Sequence, residues 1–240
     1  NLVDTINKLD LDADWFGLRE YRENTTYHVI RDKNPLTNET SIDHGLMVEV
    51  LKDGQFGYCG TSDLSFNGIQ KAASNALDSA VKASKHSVFS FNDSVRPGSK
   101  GQYITPLELP FDTLSAGEIN DILMKANEWL LIDDRIMSVS AMAMLVETTI
   151  NYACSNGSDI QQKINIVGSD YSATAKNGNI IQTRTDGRSG NQMGLERFNQ
   201  DLVREKCNKV STQVLELIEA DQCPTGTMSL VLAPDQMMLQ

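Results

Sequence analysis

Three histidines and four cysteines are nearly all that this 240-residue sequence offers for catalysis or metal binding. His28, His44 and His86 stand alone, and none has a His or Glu partner at helical ligand spacing. They read as surface or capping residues. There is no HExxH, no GxSxG elbow and no P-loop. Cys59, Cys154, Cys207 and Cys223 form no CxxC pair, and the amino end lacks the basic and apolar regions of a signal peptide. Reduced core thiols are therefore expected rather than a disulfide framework or a zinc knot.

The remaining clusters also read blandly. Asp10, Asp12 and Asp14 alternate like the start of a calcium loop, but no glycine stands at the sixth position and no glutamate at the twelfth. Gly54-x-x-Gly57-x-x-Gly60 precedes a helix without dinucleotide spacing, so its glycines are assigned to a hairpin and a close helix contact. Arg184, Arg188 and Arg197 surround a loop with Gly187, Gly190 and Gly194 that could hold a carboxylate or phosphate. In an acidic chain it reads better as a solvated loop. No catalytic or metal residue is assigned, and substrate-binding residues are left open.

These residues need elements to position them. Trp15–Glu23, Thr25–Arg31 and Leu46–Leu51 are rich in β-formers, and Asp53-Gly54 turns the last into Gln55–Cys59. Ile69, Ala72, Ala73, Ala76, Leu77, Ala80 and Val81 then follow helical spacing. Ser115-Ala-Gly-Glu118 is a capping box that opens a helix bearing Ile119, Ile122, Leu123, Ala126 and Leu130. Asn156-Gly157 and Asn177-Gly178 suggest type I′ turns dividing strands at Ile136–Cys154, Ile160–Ala175 and Ile180–Thr185. A helix with Leu202, Val203, Cys207, Val210, Val214, Leu217 and Ile218 on its apolar face follows, and Met228–Leu232 reads as a further strand.

The pattern predicts an α+β fold: two mixed domains of mostly antiparallel strands with flanking helices, and the start of a third. The expected division is 1–91, a linker at 92–110 marked by Pro97, Gly98, Gly101 and Pro106, a middle domain at 111–222, and 223–240. An extended peptide, if one binds, is expected on the meander 136–186, where Met137, Met142 and Met144 are adaptable apolar side chains. A net charge of −11 excludes a general nucleic-acid surface. No apolar stretch approaches the ~20 residues of a membrane span.

Three stretches together resemble the TldD/PmbA family of zinc peptidases, historically called modulators of DNA gyrase. They are His44-Gly-Leu-Met-Val-Glu-Val-Leu-Lys-Asp-Gly-Gln-Phe-Gly57 running into Gly60-Thr-Ser-Asp-Leu, the Ser155-Asn-Gly turn, and Ala220-Asp-Gln-Cys-Pro-Thr-Gly226 followed by Met228-Ser-Leu-Val-Leu-Ala-Pro234. The resemblance implies the amino-terminal substrate-chamber and dimer-scaffold region of a cytoplasmic metallopeptidase acting on peptides or unfolded proteins. It implies a homodimer, or a heterodimer with a paralogue. It also implies zinc in the full-length protein, held by an HExxxH motif beyond Gln240, so no ligand is carried onto this chain. The alternative it leaves open is a non-catalytic partner or binding subunit of the same family. Neither a membrane nor direct contact with nucleic acid is expected.

Overall fold

The computed structural model describes residues 1–187 and 189–239, with the backbone alone for Ser189, Asp235, Met238 and Leu239. The elements in chain order are α1 (Leu2–Lys8), β1 (Trp15–Arg31), β2 (Asn34–Lys52), β3 (Gln55–Thr61), α2 (Phe66–Ser84) and β4 (Lys100–Ile104). They continue with α3 (Ala116–Leu130), β5 (Ile136–Cys154), β6 (Asp159–Asn177), β7 (Ile180–Thr185), β8 (Ser189–Asn191) and α4 (Gln200–Glu219). The fold is α+β, as the sequence pattern predicts. One sheet takes in every strand in the order β3-β2-β1-β5-β6-β4, with β7 and β8 also paired to β6. All pairings are antiparallel except β4 with β6.

Residues two apart on a strand share a face, and the helices all use the same one. Phe16, Leu18 and Ile30 of β1 point into helix-covered cores, as do Val48 of β2 and Ala143 and Ala153 of β5. At one end of the strands α1 and α2 cover Leu18 and Val48; at the other α3 and α4 cover Ile30, Ala143 and Tyr171. Both cores thus rest on the same long strands. The stretch 92–110, expected as a linker, contains β4, whose Lys100–Ile104 lies beside Asp159–Lys163 of β6.

Local chemistry explains the helices. Ser65 caps α2 by accepting from Gly68 N, and the alanine face, Ala72, Ala73, Ala76 and Ala80, is buried. Small residues let α2 lie close to the sheet, and Gly57 of β3 completes the contact: a Cβ there would sit 1.9 Å from the Ala76 carbonyl oxygen. The glycine reading of 54–60 therefore holds for Gly54 and Gly57. The Ser115–Glu118 capping box forms as expected. In α4, Leu202 and Leu217 are exposed, while Ser211 is buried and donates to the Leu130 carbonyl at 2.7 Å. The apolar stripe of α4 is thus narrower than the sequence suggests.

Three strand assignments change. The pair Trp15–Glu23 and Thr25–Arg31 is one strand, because Asn24 continues the ladder opposite Ile42 and Glu147. Strand β2 begins twelve residues before Leu46, at Asn34. Met228–Leu232 forms no strand: Leu230 and Val231 are exposed and no described strand pairs with them. An apolar run needs a partner edge to become a strand.

The turns also differ from expectation. Asn177 ends β6 opposite Ile180, so the two-residue loop is Gly178-Asn179. Only Gly178 has positive φ there (59°), which is the type II′ pattern rather than I′. Asp53-Gly54 is positive at both positions (49° and 77°), as type I′ requires. So is the glycine-free Asp32-Lys33 turn between β1 and β2 (49° and 61°). Asp32 accepts from Val139 N and Ser138 Oγ, and Asn127 of α3 accepts from Lys33 N at 3.2 Å. These contacts hold two residues in a conformation that normally favours glycine.

Candidate functional site

The residues singled out for chemistry do not come together. His28 is fully buried on β1, not at the surface, and its Nδ1 meets Asn120 Oδ1 of α3 at 2.9 Å. Its even spacing with Ile30 puts it on the helix-covered face. His44 lies mid-strand on β2, with Nε2 2.9 Å from Glu20 Oε1. Burial works against the Glu20 carboxylate, but its bonds with His44 and Asn151 hold its pKa below the ordinary range. His86 is exposed just past the end of α2.

Asp12 pairs with Lys52 Nζ at 2.7 Å and Asp14 accepts from Asp53 N, so these acids tie the segment after α1 to the β2–β3 hairpin. Arg184 donates to Gln213 of α4 and Arg197 to Ser169 of β6; Arg188 lies outside the described residues. Ser189–Asn191 within that loop forms β8 against β6. Among the described residues, no three His, Cys, Asp or Glu side chains gather as a ligand set. A zinc ion would find no such set among them.

The cysteines are unpaired, but only two are core thiols: Cys154 and Cys207 are buried, Cys59 is half-buried and Cys223 is exposed. Burial against β6 pushes the Cys207 thiol up to about 12. A thiolate is the reactive form. Iodoacetamide on the native protein should therefore label Cys223 quickly, and Cys154 and Cys207 only after denaturant is added, as read by peptide mass spectrometry. Native labelling of Cys207 at the rate of Cys223 would mean that α4 does not pack as described.

What the fold does leave available is sheet. β3 pairs β2 only from Leu46 to Lys52, whereas β2 pairs β1 along its whole length. Residues 34–45 of β2 are therefore a twelve-residue stretch of strand whose outer edge pairs with no other strand among the described residues, with Thr61 close beside it at the Gly45 end. In the meander expected to receive a peptide, β5 and β6 are interior: β5 lies between β1 and β6, and β6 carries β4, β8 and β7 in succession along its far side. Strand β7 is exposed, and among the described strands it pairs with β6 alone. Met142 and Met144 are half-buried on the helix-free face, and Met137 is exposed.

The helix-free face is covered at one end only. There Arg96 stacks 5.0 Å over the Phe56 ring and pairs with Glu49, and Phe91 packs 5.6 Å from Phe56. Burial, chiefly, raises the pKa of Tyr152 beneath them. Farther along, Tyr21, Thr25 and Thr148 all donate to Glu23. The bond from Tyr21 is the main cause holding the Glu23 carboxyl below its usual range. This anchors the Tyr21 hydroxyl and leaves its ring on the open surface.

A long, mostly antiparallel sheet with helices on one face and an unpaired strand edge defines the class of fold. Solved structures share it. A candidate modulator of a DNA gyrase from Thermotoga maritima is 19% identical with a TM-score of 0.61, over 88% of this chain and 46% of that one. A second such candidate, from Bacteroides thetaiotaomicron, is 16% identical with a TM-score of 0.63, over 90% and 47%. TldE from Thermococcus kodakarensis is 14% identical with a TM-score of 0.61, over 85% and 44%. The chain thus spans a little under half the length of these relatives.

Residues 18–80, from β1 through α2, match the family described as PmbA/TldA metallopeptidase domain 1. The TldD/PmbA resemblance read from the sequence is borne out by that match and by the structural neighbours. No curated protein matches. Among the described residues, no helix is long and apolar enough to cross a membrane.

Proposed function

We propose that this chain is the peptide-receiving, amino-terminal part of a TldD/PmbA-type metallopeptidase, and that an extended segment of substrate docks along the open edge of β2. The observation that carries the reading is the unpaired edge at 34–45. Its N–H and C=O groups already sit at strand spacing, and an extended polypeptide satisfies such a row without demanding a sequence. That suits an enzyme acting on varied peptides or unfolded proteins. Pro35, Glu39 and Asp43 on the same edge disfavour indiscriminate pairing between copies.

The helix-free face beside this edge serves as one wall of the substrate chamber, and the chain also acts as a dimer scaffold, with itself or a paralogue. No ligand set gathers among the described residues, so zinc, which in such a peptidase would activate the hydrolytic water, would be held elsewhere in the full-length protein. Four unpaired cysteines support a cytoplasmic setting.

Hydrogen exchange with and without a permanently unfolded protein, reduced and S-carboxymethylated, tests the docking. Protection should rise at alternate amides within 34–45 while α2 and α3 stay unchanged. Protection confined to the helices, or to residues 136–186 alone, would overturn it.

A further inference from the structure

At the point where β3 ends and the β2 edge becomes free, the sheet holds a cavity of about 540 Å³ on its helix-free face. Gly60, opposite Met47, leaves its floor open. In the next row, Gly45–Tyr21–Ile150, the Thr61 carbonyl oxygen comes within 3.2 Å of where a Gly45 Cβ would be, and Thr61 and Ser62 form the outer lip. The floor and walls are the anchored Tyr21 ring, Ile150 and Met47. The charges at its rim, Asp43 and Arg19, are of opposite sign, so the cavity as a whole favours neither anion nor cation.

We infer that this cavity is a side-chain pocket for one large apolar residue, phenylalanine or leucine in kind, of an extended peptide lying along β2. The inference rests on the docking reading above and gives it a register. A strand added beside 34–45 continues the line of β3, and its side chains alternate between faces. Thr61 and Ser62 already lie beside Gly45, so the added strand's first residue on the helix-free side faces Asp43 and leans over Gly45, which has no Cβ, onto Tyr21, Met47 and Ile150. The next residue on that side faces Ser41, where the wall is polar. Specificity therefore concentrates at one position, with main-chain bonds supplying the rest. The occupant is a polypeptide rather than a small apolar molecule because the pocket opens onto the unpaired backbone edge.

The test uses two short Thr- and Ala-rich peptides that differ only by phenylalanine or alanine at one central position. Burying the ring should make the phenylalanine peptide bind roughly ten- to fifty-fold more tightly. Met47→Glu, on the partly exposed face, should abolish that preference and leave the alanine peptide's affinity within about twofold. Hydrogen exchange separates the failures. Equal affinity of both peptides with 34–45 protected would discard the pocket and keep the docking. If neither peptide protects 34–45, both ideas fall. Loss of preference without loss of protection in Met47→Glu supports the assignment independently of how well any glycine variant folds.

Discussion

Gly57→Ala should cost the protein about 3 kcal/mol or more and lower its melting temperature by roughly 6–12 °C. The new methyl would lie 1.9 Å from the Ala76 oxygen and 2.6 Å from the Ala80 nitrogen, both backbone atoms of α2. No side-chain rotation relieves that, so the whole helix must lift from β3. Lifting it uncovers Ile69, Ala73 and Ala76, which form the centre of the α2 core. Gly60→Ala is the control: it lies on the same strand, and its nearest neighbour is the flexible Met47 Cε at 3.9 Å. It should stay within about 0.5 kcal/mol of the parent. Urea unfolding of the two variants checks the pair, and equal midpoints would show that α2 does not lie against Gly57.

The second large effect is expected at Asn127, a polar residue buried in the core side of α3. Its amide donates to the Ile30 and Leu123 carbonyls and accepts from Lys33 N, so one side chain joins helix, strand and turn. Asn127→Ala leaves the Lys33 amide without this partner and opens a small cavity, together about 2–4 kcal/mol. The damage should have a direction. The Asp32-Lys33 turn loses the contact that holds its positive φ values, and amide exchange at the tip of the β1–β2 hairpin should accelerate beyond the global change. Asn127→Leu, which restores volume but not hydrogen bonds, should fail to rescue it. If exchange at residues 30–36 is unchanged in both variants, the turn is set by its own sequence instead.

Asn127 and the turn it holds show where the sequence was legible and where it was not. Elements with one buried face were readable, because burial imposes a period: α2, the capped α3, and strand β5, whose expected limits Ile136–Cys154 are those found. Strand β7, exposed along its whole length, is delimited at Ile180–Thr185 by the Asn177-Gly178 turn signal and its β-formers instead. Residues 34–45 carry no such period. They are exposed on both faces, and the turn before them has no glycine, since tertiary hydrogen bonds rather than intrinsic preference hold its geometry. The sequence pattern therefore points to the apolar meander rather than to this edge, and β5 and β6 are apolar because they are interior. Met228–Leu232 failed in the opposite way: its pattern is strand-like, but pattern supplies no partner. The glycine inside an alternating strand at Gly45 does mark a close approach, that of this chain's own Thr61 carbonyl oxygen, 3.2 Å from where a Cβ would be.

The pairing of β1 with β5 has a consequence for how the protein is made. Arg31 faces Ser140 and Gly17 faces Cys154, so every partner of β1 on that side lies more than a hundred residues downstream. Contacts this distant in sequence close slowly, because loop entropy must be overcome before they stabilise anything. A ribosome adding about 5–20 residues per second takes roughly 5–30 s to travel that distance. During that interval β1 can pair with β2 on one side while its other edge faces solvent, with Leu18 and Ile30 near it. The nascent chain therefore passes through a state with an open, partly apolar strand in the middle of its future sheet. Anything that delays the arrival of β5, such as slow codons between 100 and 136, should increase aggregation without altering the stability of the finished protein.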